Sequence, residues 1–183
     1  MEIMLNRPRT LLQWARIHRL YHEAFPRSER KPFSMIVKKW REGVMDVWYC
    51  THAGKFVGIA ITINGPTMIL LDYFAIGKNL RSKGYGSAIL QTLRTHYAGM
   101  GIFGEIENTY APGPDQALRQ RRKQFYLDNG LEEMGVMVVL FGVEMELLGW
   151  GCQLTYEQYH SFYRDCYSPW AAEHIQPAVH PMA

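Results

Sequence analysis

The sequence is short of several things, and each shortage narrows the field. It has three cysteines, Cys50, Cys152 and Cys166, in 183 residues. An odd and widely spaced set makes neither a disulfide framework nor a zinc-ligand pattern, so a reducing, cytoplasmic setting is expected. The seven histidines form no H-x-E or H-x3-H pair, and no metal site is expected. The longest apolar run, Gly135 to Val143, is too short to cross a bilayer as a helix. The first residues, Met1 to Pro8, lack the apolar stretch of a secretory signal, so no membrane partner is expected. Charge of one sign is scarce too: 20 basic residues against 17 acidic leave +3. That balance tolerates anionic small ligands and does not call for nucleic acid. No repeat, low-complexity block or Ser/Pro linker breaks the chain, and a single domain over residues 1–183 is expected.

What is present is a chain that is 48% apolar, enough for a core. Ile3 to Leu5 reads as a short strand. Thr10 offers a cap oxygen to a helix whose apolar residues run from Leu11 to Ala24, ended by Pro26. Arg27 to Pro32 reads as an exposed loop, and a second helix is expected over Ser34 to Arg41. The period then changes. Val44–Thr51, Phe56–Ile63 and Met68–Ile76 form a meander of three strands, parted by His52-Ala53-Gly54 and Asn64-Gly65-Pro66. A helix over Ser87–Tyr97 and a strand over Ile102–Asn108 follow. Asp115 is expected to cap a helix that ends at Asn129-Gly130. Two strands fit Met134–Phe141 and Val143–Trp150. A last helix fits Thr155 to Tyr167, with Thr155 as its cap, before a tail with Pro177 and Pro181 that is expected to fray. The order β-α-α-β-β-β-α-β-α-β-β-α implies a mixed α/β (α+β) fold with a mostly antiparallel sheet of about seven strands flanked by helices.

The informative stretch is Arg81-Ser82-Lys83-Gly84-Tyr85-Gly86, between a strand and a helix. Glycines there let backbone N–H groups approach a ligand, and a helix N-terminus favours a phosphate. Arg81 and Lys83 add positive charge. A plain tight turn is the competing reading. The spacing fits neither a Walker A loop nor a dinucleotide-binding G-x-G-x-x-G.

Arg81-x-x-Gly84-x-Gly86, after a strand ending Asp72-Tyr73-Phe74-Ala75-Ile76, resembles the [QR]-x-x-G-x-[GA] signature of the GNAT acyltransferase superfamily. Phe125-Tyr126-Leu127-Asp128-Asn129-Gly130 is similar to that family's F-Y-x-x-N-G-F, departing at Leu131 where Phe is usual. The element order agrees over about residues 1–151, leaving 152–183 as an added C-terminal helix and tail. The resemblance implies an N-acetyltransferase that uses acetyl-coenzyme A, with direct attack by an amine of a small molecule or peptide. It implies that Arg81, Ser82, Lys83, Gly84, Tyr85, Gly86 and Ser87 bind the pyrophosphate. It also implies that the backbone of Tyr73, Phe74, Ala75 and Ile76 pairs with the pantetheine arm and polarises the thioester carbonyl.

Two proton transfers remain. A phenol is neutral at pH 7, and the resemblance makes Tyr126 the donor to the departing thiolate; a packed core tyrosine is the alternative. Glu105 and Glu107 share one face of a strand, which is unusual on a buried surface because buried charge is costly. The resemblance favours Glu105 as the base, with Glu107 next; a solvated sheet end or an ion pair to the neighbouring arginines is the alternative. Arg119, Arg121, Arg122 and Lys123 make a basic run that reads as a solvated face or a neighbour of phosphates. A nucleic-acid module is the weaker rival function, and an acyl-coenzyme A binder without activity is the other. Tyr156, Tyr159, Phe162, Tyr163, Tyr167 and Trp170 form an aromatic stripe. It could cap the sheet, wall an acceptor pocket or make a homodimer contact.

Overall fold

The computed structural model describes residues 1–27 and 29–179. Ser28 of the expected exposed loop and Pro181 of the expected frayed tail lie outside the described residues. These residues fall into two compact units. The first, Met1–Asn64 with Leu71–Ala98, holds β1 (Met4–Asn6), α1 (Leu11–Ala24), α2 (Phe33–Arg41), β2 (Met45–His52), β3 (Lys55–Asn64), most of β4 (Met68–Ile76) and α3 (Tyr85–His96). The second, Gly65–Leu70 with Gly99 onward, holds β5 (Gly101–Glu107), α4 (Gln116–Asp128), β6 (Glu132–Leu140), β7 (Val143–Trp150), α5 (Tyr156–Phe162), α6 (Pro169–Ala172) and β8 (Ile175–Ala178). The strands are ordered β1-β2-β3-β4-β5-β7-β6-β8 in an open sheet. The pairs β1–β2, β2–β3, β5–β7, β6–β7 and β6–β8 are antiparallel. No helix among the described residues is long and apolar enough to cross a membrane.

Local chemistry sets the helix ends. Thr10 and Thr155 each cap a helix through a reciprocal box, with Gln13 and Gln158 reaching back to the cap. Helix α4 ends in a Schellman turn. Gly130 takes φ +85°, its N–H donates to the Leu127 carbonyl, and the Leu131 N–H reaches the Tyr126 carbonyl at 3.1 Å. Leu131, where the signature departs, is buried and fills its place. Asp115 stands at the cap position of α4 but makes no cap hydrogen bond; its carboxylate turns to Arg119 at 3.3 Å.

One expectation at the C-terminus is corrected: the tail holding Pro177, expected to fray, carries a strand. The sheet has eight strands, because Ile175–Ala178 pairs with β6 from Leu140 to Met137. Without it, that side of β6 would leave backbone donors and acceptors unpaired. Pro177 suits this position, since an edge strand tolerates a missing N–H on its open side. The last helix covers the expected residues, capped by Thr155, but changes form along its length. At Phe162 it widens into a π turn, Tyr163–Tyr167, closed by the Ser168 N–H on the Tyr163 carbonyl at 2.7 Å.

In the first unit, Ile17, Tyr21 and Ile36 of the helices and Val47, Ile59 and Ile61 of the strands are fully buried. Two tyrosines there are hydrogen-bonded as well as packed. Tyr21 donates to the Lys31 carbonyl at 3.0 Å. Tyr97 receives the Trp48 indole N–H at 3.1 Å and donates to Asp46 Oδ2 at 3.2 Å. Burial pushes both phenols up to about 12. An unfolded tyrosine ionises near pH 10, so the unfolded state sheds these protons first as pH rises. Stability is therefore expected to hold to about pH 10 and to fall between pH 10 and 12. The phenolate absorbance of these two tyrosines, taken as the difference between the parent and its Tyr21→Phe and Tyr97→Phe variants, should rise together with the loss of circular dichroism, rather than ahead of it.

Candidate active site

The Gly loop starts where β4 ends. Gly58 of β3 allows a close approach there: a Cβ on it would sit 2.6 Å from the Ala75 carbonyl oxygen. After β4, Gly77 donates to the Val57 carbonyl at 3.0 Å and a 3-10 turn spans Lys78–Leu80. Arg81 Nε then ties back to the Ile76 carbonyl at 3.3 Å. Two residues that follow take left-handed backbone, Ser82 at φ +59° and Gly84 at φ +81°. For serine that conformation costs about 1–3 kcal/mol, a strain that gathers at ligand-clamping loops. Gly84 is the N-cap of α3, which has no side-chain cap. The helix begins at Tyr85, so Tyr85, Gly86 and Ser87 form its first turn, two residues earlier than expected. Their N–H groups have no partner within the helix. Arg81, Ser82, Lys83, Gly84 and Ser87 are exposed. A Cβ on Gly84 would meet only Met1 Cε, at 3.9 Å. An open, cationic helix start with freed N–H groups fits a pyrophosphate.

Along β4, Tyr73 and Ala75 are buried, while Phe74 and Ile76 are half-buried. The Tyr73 side chain holds the loop between α1 and α2. It donates to the Glu29 carbonyl at 2.9 Å and accepts the Lys31 N–H at 3.0 Å. Lys31 Nζ pairs with Asp72 Oδ1 at 2.5 Å. Lys31 is thus engaged in holding its own loop.

In the second unit, Glu105 and Glu107 share a face of β5, opposite Leu147 and Met145 of β7. Glu105 Oε1 accepts two phenols, from Tyr159 at 2.6 Å and Tyr163 at 2.7 Å. Glu107 pairs with Arg122 of α4. The ion-pair alternative therefore holds for Glu107, and the sequence pattern did not reveal the tyrosine partners of Glu105. Their signal was the stripe itself, since Tyr159 and Tyr163 sit one turn apart. Tyr126 is half-buried on α4, and its hydroxyl bonds to no group among the described residues. Burial pushes its phenol up to about 12 despite the opposing pull of Arg122.

Half of the basic run of α4 is turned inward, while Arg121 and Arg122 are exposed. Arg119 is buried, donating to the Asn108 and Ala111 carbonyls. Lys123 is buried between carboxylates, with Glu146 Oε2 at 2.6 Å and Glu133 Oε2 at 2.8 Å. These hydrogen bonds raise the Lys123 ammonium above its ordinary value, although burial pulls the other way. The other oxygen of Glu146 takes the Thr109 N–H at 2.5 Å and its hydroxyl at 2.7 Å. No group of three or more His, Cys, Asp or Glu among the described residues could hold a metal ion.

Replacing Lys123 with Met would leave Glu146, only 4% exposed, without its countercharge. The expected loss is about 3–5 kcal/mol in urea unfolding. Replacing Glu146 with Leu as well should recover part of it. A single variant within about 1 kcal/mol of the parent would show that the pair does not hold the loop before α4.

Residues 14–119 match the model of the acetyltransferase (GNAT) family. No curated protein matches the chain. Solved structures share the fold at low identity. A Bacteroides thetaiotaomicron protein described as an acetyltransferase of that family superposes with TM-score 0.74 at 19% identity, over 91% of this chain and 98% of its own. The ribosomal-protein-S18-alanine N-acetyltransferase of Escherichia coli gives TM-score 0.60 at 15% identity, over 84% and 96%. The spermidine N-acetyltransferase of Vibrio cholerae, solved with coenzyme A and spermine, gives 0.63 at 12%, over 81% and 94%.

Proposed function

The chain belongs to the acetyltransferase (GNAT) family, and from that premise we propose that it transfers the acetyl group of acetyl-coenzyme A to a primary amine of a small molecule or peptide. The observation that carries this reading is the start of α3. Ser82 and Gly84 are left-handed, no side chain caps the helix, and Arg81 and Lys83 flank it. Acetyl-coenzyme A supplies the activated acetyl group and a thiolate as leaving group.

This chain's own residues do the rest. The N–H groups of Tyr85, Gly86 and Ser87 bind pyrophosphate oxygens, with Arg81 and Lys83 adding charge. The backbone of Tyr73 to Ile76 binds the pantetheine arm and supplies the N–H that polarises the carbonyl. Glu105 removes the proton that a free alkylamine carries at neutral pH. It suits this better than Glu107, because protonating Glu107 would break the ion pair with Arg122. Tyr126 gives its proton to the departing thiolate. With its phenol near 12, it still holds that proton throughout the neutral range.

The function is tested by following thiol release from acetyl-coenzyme A over amino acids, peptides, polyamines and aminoglycosides. Turnover with at least one amine is expected; release no faster than without amine across the set would overturn the reading. Gly84→Val adds a side chain at the phosphate position and forces a β-branched residue to φ +81°. Acetyl-coenzyme A affinity by calorimetry should fall at least tenfold, or about 1.4 kcal/mol. Unchanged affinity in a folded variant would remove the loop from the site.

Tyr126→Phe keeps the ring and loses the proton. We expect kcat to fall roughly a hundredfold with acetyl-coenzyme A binding nearly intact. The deficit should be the same from pH 7 to 9, since the parent phenol is not ionised there. A variant with parental kcat would make Tyr126 a packing residue.

A further inference from the structure

The C-terminal segment lies outside the stretch matched by the family model, yet it reaches the proposed base. Tyr159 and Tyr163 are one helical turn apart and aim both hydroxyls at a single atom, Oε1 of Glu105. Packing alone would not require that convergence. Neither tyrosine has solvent-accessible surface. Their ring centroids lie 5.1 Å apart, and Phe103 of β5 meets the Tyr159 ring edge-on at 6.2 Å. An ionised carboxylate only accepts, so both phenols donate, and bonds this short are charge-assisted. The backbone also changes form here. The π turn begins at Tyr163, and such turns within helices recur at functional positions.

We infer that Tyr159 and Tyr163 are positioning residues that hold the Glu105 carboxylate in one orientation for proton removal from the acceptor amine. The inference rests on the reading of Glu105 as the base. Near that carboxylate stand the two phenols from the C-terminal segment, and close by are Glu107 with its partner Arg122 along β5 and apolar Leu147 opposite on β7.

The test compares Tyr159→Phe, Tyr163→Phe, the double variant and Glu105→Gln in the full chain. The probe is acetyl-coenzyme A with the amine of highest turnover in the thiol-release screen. Each phenol removed takes a donor from the carboxylate, so its ionised form is less favoured and the acid limb of kcat/KM should move to higher pH. A shift of about one unit per donor is expected, with kcat down roughly tenfold at the optimum. The Glu105 carboxyl carbon, followed by NMR in glutamate-labelled protein and assigned with Glu105→Gln, should titrate with the same upward shift. This second measurement needs no acceptor. Should Tyr163→Phe fail to fold, 3,5-difluorotyrosine at position 163 keeps the shape and strengthens the donor, and the limb should move down.

Outcomes separate the two ideas. If Glu105→Gln keeps parental turnover and the parental acid limb, Glu105 is not the base, and the inference falls with that reading. If Glu105→Gln loses turnover but the phenylalanine variants lower only the melting temperature, the base stands and the positioning role is overturned.

Discussion

A carboxylate carried into a packed sheet must find donors, and in this protein that requirement decides where helices and loops attach. Asp46 on β2 receives Arg7, Asn64 and the phenol of Tyr97. Asp72 on β4 receives Lys31 and with it the loop between α1 and α2. Glu146 on β7 receives Thr109 and Lys123, fixing the start of α4 and the loop before it. Glu107 receives Arg122, and Glu105 receives two tyrosines of the C-terminal segment. Removing one partner leaves a charge that water no longer stabilises, so such contacts are costly to break.

The same requirement changes the meaning of the basic run in α4. Read along the chain, Arg119, Arg121, Arg122 and Lys123 resemble a surface that meets anions. In the fold, positions 119 and 123 are one turn apart and point inward. Arg119 closes the loop through carbonyl oxygens, while Lys123 neutralises two carboxylates. Arg122 pairs with Glu107, which leaves Arg121 as the member of the run that faces solvent without an ion pair among the described residues. Two of the four charges thus serve the protein's interior.

The C-terminal segment shows how a backbone requirement and a side-chain requirement reinforce each other. Strand β8 satisfies the open side of β6, and α5 with its π turn covers Phe103 and Glu105. The aromatic stripe supplies both the apolar area and the hydroxyls. The structure thus supports the capping role considered for this helix and supplies polar contacts that a purely apolar cap would lack.

Much was legible in sequence where the interaction is local. The Thr10 and Thr155 caps, the Asn129-Gly130 stop, the tight turns of the strand meander and the Gly loop at the start of α3 depend on residues close to each other in the chain. Their spacing along the chain is their spacing in space. The pattern also placed Glu105 and Glu107 on one face, because a strand alternates with period two. Only the tertiary structure decided which donors meet those carboxylates. Tyr159 is 54 positions from Glu105, and Lys123 is 23 from Glu146. Likewise Pro177 reads locally as a breaker, and only the open edge of β6 makes its segment a strand. Pairing between distant residues is set by how the sheet and helices pack, and chain spacing carries no measure of that.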